Sequence, residues 1–215
     1  MKNPLFITIL AVAALLAIVD VYYIVVVSNA KRKTPELIEH YMSDEVSKIK
    51  YADLTDRQIE ILLAVQDPGF WDHKGVDFAT PGTGWTTITQ SICKKFYFKN
   101  FKQGLPKIKQ TLLARFVLNR FASKEEQIQI FMNIMWFDDG IVGFADASEY
   151  FYEKFFNELT EDEYISLVAM LNLPRQYNIK SNPEANSMRV HRIKKVLSGE
   201  YTPKGLFDTE YIETE

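Results

Sequence analysis

Gln66-Asp67-Pro68-Gly69-Phe70-Trp71-Asp72-His73-Lys74-Gly75-Val76-Asp77 gathers three carboxylates and an imidazole into one short stretch. Such groups exchange protons when one of them reaches the reacting atom. No second histidine lies near His73, which argues against a metal site there and for a ring that shapes the loop by hydrogen bonding. His40 and His191 stand alone and read as surface residues. Further along, residues 94–124 carry nine lysines and arginines and no acid, with Phe96, Tyr97, Phe98 and Phe101 among the first lysines. Ammonium groups beside aromatic rings suit an anionic ligand with an apolar tail, or nucleic acid; a solvated helix face is the bland alternative.

The choice is narrowed by the N-terminus. Residues 5–27 contain one charge, Asp20, over a length that spans a bilayer core of about 30 Å as a single transmembrane helix. A cleaved signal peptide is the rival, since Ser28-Asn29-Ala30 loosely fits a cleavage site, but the apolar run is long for one. A basic surface tethered to a membrane meets lipid head groups or a lipid-linked pyrophosphate rather than nucleic acid. Lys31, Arg32 and Lys33 outnumber Lys2, and by the positive-inside rule this bias places the following domain in the cytoplasm.

The 215 residues, with 25 Lys plus Arg against 28 Asp plus Glu and 47% hydrophobic residues, exclude disorder and collagen-like repeats. One cysteine, Cys93, excludes a disulfide scaffold. Apolar residues recur at helical spacing over 56–65, 108–121, 124–137, 144–156 and 161–171, and no segment alternates with a strand period. Thr55, Ser123 with Glu126, and Thr160 with Glu163 supply helix starts. The chain therefore reads as mostly α: an anchor and basic flank (1–33), an amphipathic connector (34–54) opened by Pro35, a helical domain (55–199) and an acidic tail (200–215). Residues 66–106 hold five of nine glycines and three of eight prolines, the place to expect a site.

The stretch 66–77 resembles the E-D-x-x-F-x-x-H-x-G-x-D motif of glycosyltransferase family 51, the peptidoglycan glycosyltransferases, at every position but the first. Gly84-Trp85-Thr86-Thr87-Ile88-Thr89-Gln90-Ser91-Ile92-Cys93-Lys94 is similar to its G-G-S-T-I-T-Q-Q-x-x-K element. Residues 123–133 resemble its S-K-x-x-I-L-x-x-Y-L-N helix, and 137–144 with Tyr150-Phe151 its F-G-D-G-x-x-G stretch. Leu159-Thr160, Glu163, Pro174, Tyr177, Pro183, Arg189 and Arg192 follow the closing pattern. The resemblance implies a lysozyme-like α fold outside the bacterial cytoplasmic membrane, against the charge rule. It also implies lipid II or another undecaprenyl-pyrophosphate-linked glycan as ligand, cell-wall synthesis proteins as partners, and no required cofactor, although a divalent cation is compatible. Ligand contacts would come from Phe70, His73, Thr87, Gln90, Lys94, Lys107 and Lys109. It makes Asp138-Asp139 a turn rather than a metal or acid/base pair.

Three departures bear on activity. Gln66 occupies the general-base position, and a carboxamide takes up no proton near neutral pH. The second family glutamate falls at Thr111 or Gln110, depending on the direction of counting. Loss of general-base catalysis typically costs a factor of ~10²–10⁴. Asp67 and Asp72 are the nearest replacement carboxylates, but a misplacement of ~1 Å can cost ~10². The segment 78–83 is also shorter than the family's. The expectation is a catalytically impaired protein that binds precursor or partners. The alternatives are a polymerase with a relocated base and a membrane scaffold that does not bind lipid II.

Overall fold

A computed structural model describes residues 4–102 and 104–213. Lys2 lies outside them. The first helix, α1 (Pro4–Met42), runs without a break through the point where the connector was expected to start. Pro35 lies inside it, not at a helix start, because packing outweighs the lost backbone donor. Ala30, Thr34 and Ile38, four residues apart on one face, are buried. The Thr34 hydroxyl donates to Ala30 O at 2.6 Å and lies 2.6 Å from the Tyr97 hydroxyl, fastening the lower half of α1 to the domain. The upper half is exposed along its length.

The domain comprises α2 (Asp56–Gln66), α3 (Ile88–Tyr97) and α4 (Leu105–Leu113), the last continuing through a π turn (Ala114–Leu118) into short α5 (Asn119–Phe121). There follow α6 (Lys124–Ile134), a two-stranded antiparallel ribbon of β1 (Trp136–Asp138) and β2 (Ile141–Val142), then α7 (Phe144–Tyr152), α8 (Glu161–Met170) and α9 (Pro183–Ser198). The mostly α reading holds. In α6 every residue from Gln127 to Ile134 is buried, and in α8 every residue from Tyr164 to Met170. Helices covered all round lie at the centre of a core: α1, α3 and α7 pack on α6, α2, α7 and α9 on α8, and α4 with its π turn lies against α1 and α3.

The start signals at Thr55, Ser123 and Thr160 each form a capping box. Three expectations need correction. The helix expected over 124–137 stops at Ile134, because Gly143, at φ +86°, lets β2 return so close that an added Cβ would lie 2.9 Å from Asn133 O. Helices α3 and α9 were not expected, since their buried faces carry Thr89 and Gln90, and Asn186 and Arg189, which hide the apolar period. Residues 200–213 form no free tail: Tyr201 and Tyr211 are buried, and Gly82 and Gly84 donate backbone bonds to Gly205 O and Leu206 O at 3.0 and 2.6 Å.

Candidate active-site cleft

Helix α2 ends on Gln66, and the chain turns at once. The next residue, Asp67, is fully buried. Its carboxylate lies 2.9 and 3.0 Å from His73 Nε2 and accepts the Ile88 N–H, at the start of α3, at 2.9 Å. His73 Nδ1 accepts the Gly75 N–H at 3.0 Å, which leaves the proton on Nε2 to donate to Asp67. Gly75 itself has φ +90°, and a Cβ there would lie 2.5 Å from Ala114 O. Thr87 donates to Gly75 O at 2.9 Å while capping α3. Lys124 closes this unit by donating to His73 O at 2.9 Å and lying 4.1 Å above the centre of the buried Phe70 ring. Burial pushes its ammonium down to about 8, against the pull of Asp67 and Asp72. Asp67, Phe70, His73 and Thr87 are thus bound to one another as the scaffold that joins α2 to α3.

Gln66 faces the other way, into a cleft of about 440 Å³. Its amide donates to Asn172 Oδ1 at 3.4 Å, and Lys94 lines the same cleft. Burial lowers the Lys94 ammonium. Beside it, Lys107 donates to Trp85 O at 2.5 Å and Thr86 Oγ1 at 3.2 Å, with Gln90 Oε1 at 3.5 Å. Burial, then repulsion from Lys94, pushes Lys107 down to about 8. Two poorly solvated cations side by side form a site that gains from an anion.

Neither position proposed for the second glutamate lines this cleft. Gln110 is fully buried and donates to Gln90 O at 2.6 Å, while Thr111 accepts from Gln90 Nε2 at 3.1 Å; both brace α4 against α3. Lys109 also lies elsewhere, 5.0 Å over the Phe98 ring, lining a separate cleft beside α1.

The cleft has a wall that the motifs did not indicate. Phe207 stacks on Trp85 at 4.5 Å, and Thr209 and Glu210 continue the lining. Glu210 accepts from the Tyr177 hydroxyl and faces Arg189 at 3.3 Å and Arg192 at 3.5 Å. Arg189, fully buried, lies 5.4 and 5.1 Å from the Tyr177 and Tyr211 rings. Tyr201, Phe207 and Tyr211 in a segment otherwise rich in acids were the available signal that it packs.

The cleft does not suit a divalent cation: its one lining carboxylate, Glu210, already faces two guanidinium groups, and Lys94 shares the space. Asp138 is held by the Asn178 amide at 2.8 Å and by the N–H of Asp139, as in a turn. Among the described residues no three His, Cys, Asp or Glu side chains converge where they could hold a metal ion.

Residues 34–198 match the family model described as Transglycosylase. Penicillin-binding protein 1F of Bacillus subtilis is 27% identical over 87% of this chain and 30% of its own length. Penicillin-binding protein 1B of Buchnera aphidicola is 28% identical over 71% and 22% respectively. A putative transglycosylase of Cupriavidus necator is 25% identical over 71% of each chain. The chain thus spans under a third of the two penicillin-binding proteins. Together with the helical fold and the cleft at the end of α2, the match over most of its length means that the chain belongs to the transglycosylase family, glycosyltransferase family 51.

Proposed function

We propose that this chain is a membrane-anchored transglycosylase-family protein that binds a lipid-linked cell-wall precursor, lipid II, and does not polymerise it. The carrying observation is the composition of the cleft. Gln66 and Lys94 line it together, with Lys107 beside the wall at Trp85 and Thr86, so an anionic pyrophosphate finds one ammonium in the cleft and a second next to it, whereas a sugar hydroxyl beside Gln66 finds no proton acceptor of carboxylate strength. A relocated base is disfavoured by geometry. Asp67 is buried and accepts from His73 and Ile88, Asp72 is exposed and does not line the cleft, and Glu210 is engaged by Tyr177 and two arginines.

The anchor would be the exposed apolar half of α1. An extracytoplasmic domain follows from the family's substrate rather than from charge. Native Cys93 is fully buried and would stay silent toward an impermeant thiol reagent, so the topology test is Met188→Cys at an exposed position. Labelling of intact cells places the domain outside.

The functional test is direct. Full-length protein in detergent is mixed with lipid II, and binding and glycan product are measured separately. Saturable binding that weakens in Lys94→Ala, without polymer, is expected. Processive polymer from the wild-type chain refutes the impairment, and absent binding leaves the scaffold reading in its place.

A further inference from the structure

We propose that the cleft between α1 and the α3–α4 pair binds an anionic phospholipid, with its phosphate between Lys33 and Lys109 and an acyl chain leaving along Val26. At about 1.5 Å per residue the 39 residues of α1 extend far beyond a hydrocarbon core of ~30 Å, so its second half stands at and above the head groups. The residues before Ala30 are largely exposed, and Ala30 is the first one buried by the domain. The cleft opens at this level. Its volume of about 690 Å³ lies within the range of small-molecule sites, ~300–1,000 Å³. Val26, Leu37, Phe96 and Leu113 give it apolar walls, and Lys33 from α1 and Lys109 from α4 both line it.

Among the described residues neither lysine forms an ion pair, and Lys109 has only the Phe98 ring beneath it. Glu36 and His40 share the α1 wall, so the local charge is positive but not overwhelmingly so, favouring one phosphate over a more highly charged group. The opposite flank of α1 supplies an internal contrast. A groove of about 640 Å³ there is lined by Lys31 and Asp20, one charge of each sign, so it has no net charge to attract an anion.

The proposal rests on α1 crossing the bilayer but not on the chemistry at Gln66. The full chain is reconstituted into nanodiscs of phosphatidylcholine containing some phosphatidylglycerol, and retained lipid is counted by native mass spectrometry. Each surface lysine contributes a factor of about five in affinity for an anionic lipid, so Lys33→Gln with Lys109→Gln should lower retention of phosphatidylglycerol by about 30-fold. The same double variant should bind lipid II at the Gln66 cleft as the wild type does. Equal retention by wild type and double variant, or equal retention of the two phospholipids, overturns the proposal. So does displacement of phosphatidylglycerol by lipid II, which would give the cleft to the precursor. A chain that inserts normally yet retains no phosphatidylglycerol removes this site alone; a chain that does not insert removes the membrane span as well.

Discussion

Exchange of either of two adjacent residues should separate scaffold from site. In Asp67→Asn the amide has a single oxygen for two buried donors, the Ile88 N–H and His73 Nε2–H. His73 Nε2 lies 2.9 and 3.0 Å from the two carboxylate oxygens, so in either orientation of the amide its N–H faces the NH2 group. A hydrogen bond to a charged group is worth about 1.5–3 kcal/mol, and leaving a buried donor unmet costs about 1–3 kcal/mol. The two overlap, so about 3 kcal/mol is expected. For a chain of this size each kcal/mol lowers Tm by about 2–4 °C, giving a fall of about 6–12 °C. Gln66→Ala removes one long contact to Asn172, at 3.4 Å, from a half-buried side chain, and should cost under about 1 kcal/mol. Thermal unfolding followed by far-ultraviolet circular dichroism on full-length protein in detergent measures both. Lipid II binding, measured well below either midpoint, should be altered by the exchange at Gln66 and retained by Asp67→Asn. An unchanged Tm for Asp67→Asn, or a greater loss for Gln66→Ala, refutes the division of roles.

Restoring the second glutamate should be tolerated at one candidate position and not at the other. Gln110→Glu buries a carboxylate against Gln90 O and should cost at least about 2 kcal/mol more than Thr111→Glu in denaturant titrations. Glu210→Gln leaves Arg189 buried without its anion; with Glu210 partly exposed the cost should be about 1–3 kcal/mol, and hydrogen exchange at Gly82 and Gly84 should quicken as segment 205–210 loosens. Lys107 and Lys124, each near 8 when folded, lie below the ordinary lysine value of about 10.4. Between those values the unfolded chain holds more protons, so their contribution to stability rises with pH from about 8 to about 10.4. Anion binding at Lys107 runs the other way: its affinity for a soluble pyrophosphate should fall as pH climbs past about 8, which calorimetry across that range reads directly.

Helix starts were legible because a capping box is local: Ser123 and Glu126 satisfy each other's backbone within four residues. What periodicity misses is a buried polar group whose partner lies far off in sequence. Thr89 donates to Gln127, Asn186 accepts from Ser166, and Arg189 faces Glu210, so α3 and α9 present polar residues to the core. The Thr87–Gln90 capping box before α3 was nevertheless available, as were Pro183 and Gly199 at the ends of α9. Pro35 misled for a related reason. The contacts that keep α1 helical through it come from Tyr97 and the domain, not from its own neighbours.

The motif singled out Gln66, which lines the cleft, but could not separate it from Asp67, since adjacent side chains at a helix end diverge and only the fold assigns directions. Nor could it show how so short a segment as 78–83 is covered. Gly82 and Gly84 give their N–H groups to Gly205 and Leu206, and Phe207 covers Trp85, so a strip beyond the matched residues 34–198 completes the wall. The strip carries Glu210 to the cleft already paired with Tyr177, Arg189 and Arg192. A carboxylate so engaged stabilises the wall by neutralising a buried guanidinium, and for the same reason is a poor proton acceptor. Absence of a carboxylate at Gln66 and engagement of the one at Glu210 therefore both support the proposed reading, in which the cleft holds an anion and offers no free carboxylate as proton acceptor.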